Sequence, residues 1–188
     1  MEIKDGNMKA IQNGFTLLEM VVSLAIISIV SLVLSQVFIL ALRTNTKTEV
    51  LKDVKQNGEI AMETMVRMIQ SAEQVTSACS DTGATLSSLV IVNDDGGVTT
   101  LGCSVDGTST RISSTSAQGT SYLTSGNVTL GDSSCAGATL LFTCYGASGV
   151  PTSVTISFSL SQAGVGGQAF EQSNESFQTT ATMRNVVE

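Results

Sequence analysis

The sequence predicts an α+β chain in which one long N-terminal helix packs on a C-terminal antiparallel β-sheet. Three observations carry that expectation. Met20–Leu42 is a run of 23 residues without a charge. Beyond it, Val50, Leu51, Val54, Ala61, Met65, Met68, Ile69 and Ala72 recur mostly at spacings of three and four, an apolar stripe on an otherwise polar helix. Farther on, residues 153–161 (SVTISFSLS) alternate strictly, with Val154, Ile156, Phe158 and Leu160 on one face and hydroxyls on the other. That is the pattern of a sheet with one packed and one wet face.

The uncharged run comes first in the chain. As a helix rising about 1.5 Å per residue it spans roughly 34 Å, enough to cross the hydrocarbon core of a bilayer. Its polar members are Ser23, Ser28, Ser31, Ser35 and Gln36. It is longer than the apolar core of a cleaved secretory signal, and no small-x-small cleavage pattern follows it. Arg43, Lys47, Glu49, Lys52, Asp53 and Lys55 continue a helical pattern instead. The segment therefore reads as a retained membrane helix, and the chain's mean hydropathy of +0.28 is concentrated there. Lys4 and Lys9 precede the run and four basic residues follow over 43–55. By the positive-inside rule alone, the C-terminal part would stay in the cytoplasm.

Glu19 sits where a charge is unfavourable, at the entry to this run. A carboxylate there costs several kcal/mol unless it reaches the interface or is paired. The helix dipole offers partial relief, and a cut just upstream would create a full counter-charge, an α-amine. The surrounding run, GFTLLEMVVSLAIISIV, resembles the N-terminal motif of type IV prepilins, which pilins, type II secretion pseudopilins and competence pseudopilins share. The resemblance rests on Gly14, Phe15, Glu19 and the uninterrupted apolar helix after them.

The resemblance implies that a prepilin peptidase cleaves between Gly14 and Phe15 and methylates the new Phe15 amine. Glu19 would then pair with the Phe15 amine of a neighbouring subunit and set axial register. It also implies a leader inside and a C-terminal domain outside, against the charge count. We follow it because the cysteines also point outward. The expected layout is a leader over 1–14, a transmembrane or filament-core helix over 15–42, an amphipathic continuation over 43–78 and an extracytoplasmic β domain over 79–188. Residues 1–14 balance two lysines with two acids, whereas a start at Met8 leaves MKAIQNG with one lysine and no acid. Met8 is therefore the expected start.

Pro151 is the only proline, so one helix can run from Thr16 to about Ser77, on the order of 90 Å. Gly58 within it costs about 1 kcal/mol relative to alanine and is expected to mark a bend. Many major pilins carry a proline in the membrane half; this chain has none there.

The C-terminal half is rich in Ser and Thr. Residues 88–93 and 98–103 flank Asp94-Asp95-Gly96-Gly97, a hairpin signal. Further strands are expected over 139–145 and 176–184, the latter pairing with 153–161 across a Gly-rich loop at 163–169. Residues 104–131 read as irregular, with short strands near Arg111, Leu123 and 127–130. Cys79, Cys103, Cys135 and Cys144 all lie in this half. An even count in an exported domain implies two disulfides, with three connectivities open. Cys79–Cys103 with Cys135–Cys144 is the expected pairing, because Cys79 follows the helix and Cys103 ends the first hairpin on the same side.

Several chemistries are excluded. With no histidine, neither a Ser-His-Asp or Cys-His nucleophile nor an imidazole zinc site can be built. No CxxC exists for a zinc ribbon. Asp94, Asp95 and Asp106 lack the spaced ligands of a calcium loop. Gly164, Gly166 and Gly167 are not followed by the Lys-Ser/Thr and helix of a phosphate cradle. No lysine lies beyond Lys55, which removes a Ser-Lys dyad from the β domain. No cofactor or metal is expected, and the net charge of −7 disfavours nucleic acid.

These readings converge on a non-enzymatic filament subunit. It is expected to be held in the cytoplasmic membrane, processed by prepilin peptidase, and built by an assembly platform into an extracellular or periplasmic filament with other pilin or pseudopilin subunits. The closing FQTTATMRN resembles the C-terminal strand of minor J-type pseudopilins and points to a minor, tip-seated subunit. The alternative is a surface adhesin or DNA-uptake pilin whose β domain binds a ligand.

Overall fold

A computed structural model describes residues 14–131, 133–147, 150–164 and 173–183. The expectations for the leader, for Gly166 and Gly167 and for Arg184 lie outside these residues. The chain divides into two compact units, one ending at Arg43 and one from Thr44 onward. Helix α1, Leu17–Ser71, supplies the described helix of the first unit and the opening of the second.

In the second unit α1 buries one stripe. Val54, Ala61, Met65 and Ile69, followed by Ala72, are inaccessible or nearly so. Ten strands follow: β1 Gln74–Val75, β2 Ala84–Leu86, β3 Leu89–Val92, β4 Val98–Asp106, β5 Ser109–Ser116, β6 Gly119–Tyr122, β7 Val128–Thr129, β8 Leu141–Ala147, β9 Val150–Gln162 and β10 Asn174–Thr182. All strand pairs are antiparallel.

The strands form two sheets rather than the single sheet expected. One has the order β1-β3-β4-β5-β6 and the other β10-β9-β8-β2. β7 stitches them together: it pairs with β9, while the next residue, Leu130, donates its N–H to Thr110 O of β5 at 3.0 Å. This is possible because β6 covers only Ser113–Ser116 of β5 and leaves the start of that strand open. Leu89, Ile91, Leu101 and Ile112 of the first sheet and Phe142, Val154, Ile156 and Leu160 of the second join the α1 stripe in one core.

The 153–161 alternation is realised as written, with its apolar face buried and β10 paired along its length from Asn174↔Ser161 to Thr182↔Ser153. The β3–β4 hairpin closes at the expected turn, where Asn93 N–H donates to Gly97 O at 2.8 Å and Asp95 Oδ1 accepts the Gly97 N–H at 2.9 Å.

Four expectations are corrected. The helix stops at Ser71, not near Ala78, because a sheet edge competes for its backbone. Glu73 N–H donates to Val92 O at 2.9 Å, Thr76 N–H to Val90 O at 3.0 Å, and Ser77 Oγ accepts the Val90 N–H at 2.8 Å. Residues 104–131 are more regular than expected: the short strands expected near Arg111, Leu123 and 127–130 are realised as β5, β6 and β7, and β5 runs for eight residues, Ser109–Ser116. Their Ser and Thr side chains are partly internal: Thr110 and Thr129 hydroxyls meet at 3.0 Å, and Ser113 Oγ donates to Ser104 Oγ at 2.7 Å.

The disulfide pairing is Cys79–Cys144 and Cys103–Cys135, not Cys79–Cys103 and Cys135–Cys144. Cys144 alternates inward with Phe142 on β8, and the bridge between Ser80 and Tyr145 runs the chain after α1 alongside that strand. Cys79 and Cys144 therefore lie 4.9 Å apart between Cα atoms. A 3-10 turn at Cys135–Gly137 carries Cys135 to β4, 5.7 Å from Cys103.

Gly58 marks a seat, not a break, since α1 continues through it. A Cβ at Gly58 would lie 2.1 Å from Phe177 Cζ, and the Phe177 ring in turn stacks on Phe158 with centroids 5.2 Å apart. Alanine at position 58 would gain about 1 kcal/mol of helix propensity, but it must displace a packed ring. We expect Gly58→Ala to lose about 1–3 kcal/mol net through overpacking, read as a lower Tm of the detergent-solubilised chain. Adding Phe177→Leu should recover part of that loss. An unchanged or raised Tm for Gly58→Ala alone contradicts the packing account.

Candidate functional site

The start of α1 is built by its own sequence. Gly14–Thr16 precede the helix, and a Cβ at Gly14 would meet nothing within 4 Å. Phe15 is 79% exposed. Thr16 is the N-cap: its Oγ1 accepts the Glu19 N–H at 3.2 Å, and its carbonyl accepts the Met20 N–H at 3.2 Å. Thr16-x-x-Glu19 is the signature of a capping box, a signal legible in the sequence that the reading by hydropathy and motif passed over.

Only half of that box is closed. The Thr16 side chain satisfies the Glu19 amide, but the Glu19 carboxylate makes no hydrogen bond or ion pair among the described residues. It stands exposed in the first helical turn. Downstream the hydroxyls are turned inward on the helix itself, with Ser23 Oγ donating to Glu19 O at 2.7 Å and Ser28 Oγ to Leu24 O at 2.7 Å. A serine that bonds its own backbone brings little unsatisfied polarity into lipid. Around them the surface is apolar on every side; Leu24, Ile29, Leu34 and Phe38 are each more than half exposed. This helix is long and apolar enough to cross a membrane.

The structure thus brings Gly14, Phe15 and Glu19 together within one helix start, and places the four cysteines in two disulfides within the second unit. The prokaryotic N-terminal methylation motif matches residues 9–35. That motif supports a place in the type IV pilin and pseudopilin family. The match covers the helix start and apolar segment of this pilin-like chain, and the β strands lie outside it. No curated protein and no solved structure matches the chain significantly. The family is structural, its members are processed by prepilin peptidase and assemble with other pilin subunits, and the apolar helix suits membrane anchoring before assembly.

Arg111 is the sole basic side chain among the described β strands, and it is fully engaged. Its Nη1 donates to Asp106 Oδ2 at 2.5 Å, its Nε to Thr124 O at 3.0 Å, and its guanidinium lies 4.1 Å over the Tyr122 ring. It pins the segment after β6 to β5 and offers no open cation to an anionic ligand.

The cap on this pilin-like helix is testable apart from any filament. Removing it in Thr16→Ala should cost the helix start about 1 kcal/mol, with Thr16→Ser close to wild type. Amide hydrogen exchange in micelles checks this: faster exchange confined to the first turn, Leu18–Met20, is expected. Unchanged exchange there would show that the cap contributes nothing.

Proposed function

We propose that this chain is a structural subunit of a type IV pilus or a type II secretion pseudopilus, released from its leader between Gly14 and Phe15 and N-methylated at Phe15. The observation that carries the reading is Glu19. Its carboxylate heads a helix that is otherwise uncharged as far as Leu42, and nothing within the described chain neutralises it. A charge in that position is tolerable in lipid, or among packed apolar helices, only with a counter-charge. The Phe15 amine of an adjacent subunit supplies one in the same stretch of helix. The pair would fix axial register while the apolar surfaces around it supply affinity.

Two further features support this reading. Two disulfides in the second unit suit an extracytoplasmic, oxidising location, with the leader left in the cytoplasm. The resemblance of FQTTATMRN to the last strand of minor J-type pseudopilins supports a minor subunit near the filament tip; Phe177–Thr182 of that stretch lies in β10, an edge strand.

Glu19→Ala separates processing from assembly. The variant should still be cleaved and methylated, while its yield in purified filaments falls by about two orders of magnitude, as expected when a desolvated ion pair is broken. Normal incorporation of Glu19→Ala would overturn the register role. Quantifying wild-type chain in the same filaments tests the minor assignment: an abundant subunit overturns it.

A further inference from the structure

The second sheet turns one face to the core and the other outward, and its outward face carries no charged side chain among the described residues. On β9 the inward set is Val154, Ile156, Phe158 and Leu160, while the outward set is hydroxyls throughout, from Ser153 to Ser161. Glu175, the acid of β10, belongs to the inward set, opposite Leu160.

Strand register arranges the outward side chains in rows. Thr85, Thr143, Thr155 and Thr180 are level with one another across β2, β8, β9 and β10, a row about 14 Å long at roughly 4.8 Å between strands. The next row is Leu141, Ser157 and Gln178, and the one after it sets Ser159 beside Ser176. Thr139 closes that end, its Oγ1 donating to Ser159 O at 2.8 Å and accepting the Ser159 N–H at 3.0 Å. Thr139, Ser157, Ser159, Ser176 and Gln178 line a hollow of about 310 Å³. At the other end Tyr145 fills the space a side chain at Gly83 would need, its Cε1 lying 2.7 Å from where a Cβ would stand. From Thr139 to Tyr145 the face extends about 20 Å along the strands.

These features select a ligand by its chemistry. A nucleic acid or an anionic lipid surface needs cations, and this face has none. A hydroxyl both donates and accepts, as the hydroxyls of a sugar do. Thr155 and Thr180 hydroxyls meet at 2.9 Å, and those of Ser159 and Ser176 at 2.8 Å. In each pair one hydroxyl donates, and the other keeps its hydrogen for a ligand while its oxygen is held in place. Leu141 and Tyr145, 41% and 38% exposed, add apolar surface for the C–H faces of sugar rings, the tyrosine with a polar tip as well.

We infer that the outward face of β2, β8, β9 and β10 binds an extended neutral polysaccharide, laid across the threonine row between Tyr145 and the hollow at Ser159, Ser176 and Gln178. The inference does not rest on the filament reading, and the detergent-solubilised full-length chain suffices to test it.

Co-sedimentation with insoluble cellulose, chitin and starch, and retention on immobilised heparin as an anionic control, are measured from about 50 to 500 mM salt, a range over which charge attraction is screened. Retention by at least one of the neutral polymers, little changed by salt and stronger than on heparin, is expected. Thr143→Val/Gln178→Ala removes a hydroxyl and an amide from the face and should lower that retention about tenfold, as the loss of one or two hydrogen bonds implies. An unchanged Tm shows that the variant is folded; Thr143→Ser with Gln178→Asn, which keeps both kinds of polar group, should recover part of the retention and stands in if the first variant is unfolded. No retention on any of the three neutral polymers overturns the inference, as does binding that salt abolishes. Full retention by a folded variant lacking these groups overturns the assignment to this face. Self-association of the chain that the same substitutions abolish, without polysaccharide binding, makes the face a protein contact and overturns it equally.

Discussion

The apolar stripe of α1 from Val54 to Ala72 is the constraint on which the second unit depends. Neither sheet has a core of its own; each presents one apolar face, and those faces meet the same stripe. Burying one large aliphatic side chain is worth about 1.5–3 kcal/mol, and Met65, Ile69, Leu89, Ile91, Phe142 and Ile156 are all fully buried. The small residues are as consequential as the large ones. Gly58 and Ala61 have no bulk to hold the strands away, and the first leaves a gap that Phe177 fills. Next to it Asn57 works in both directions, donating to Asp53 O at 2.9 Å and accepting the Ser125 N–H at 2.8 Å. One turn of helix therefore anchors both β10 and the segment between β6 and β7.

The first unit obeys the opposite rule. A helix with one apolar stripe folds against its own chain, but a helix apolar on all sides needs lipid or other helices around it. From Leu17 to Leu42 no side of α1 is polar and no residue is buried. The serines there that bond the preceding turn leave little unsatisfied polarity. Glu19 is the exception, a carboxylate at the head of the apolar surface whose side chain makes no hydrogen bond or ion pair among the described residues. The same element thus serves two solvents in succession, with the change near Arg43 read directly as the first charge after the run.

Much of this was legible because period and charge are local properties. The helical stripe, the β9 alternation, the β3–β4 turn and the Gly14-Phe15-Glu19 motif each lie within a short window. The corrections arise where distant segments compete. Nothing within Gln74–Val75 announces that β3 will take its backbone bonds. β5 is legible only as a short strand near Arg111, because Thr110, Ser113 and Ser114 are buried polar residues whose partners come from β4, β7 and their surroundings. The disulfides were mispaired because Cys79 meets β8 only once the chain has gone through both sheets. The Thr16 cap was within reach, four residues of a known pattern, and was eclipsed by the carboxylate inside it.

The true pairing also explains why this unit needs crosslinks. Beyond their common core, the two sheets are joined among the described residues by the two-residue strand β7, the Leu130 N–H to Thr110 O bond and the hydroxyl contact between Thr110 and Thr129. Much of the interior of the first sheet is Ser and Thr, whose hydrogen bonds satisfy burial but add little net stability. Cys79–Cys144 fastens the chain leaving α1 to the second sheet, and Cys103–Cys135 fastens the first sheet to the turn that leads into β8. Their sequence separations of 65 and 32 residues enclose most of the strands, one loop nested in the other. In the chain-entropy account each closure is worth about 4 kcal/mol, comparable to two large core side chains. A sheet pair this polar is thus fastened by covalent bonds where a more apolar chain would use additional core.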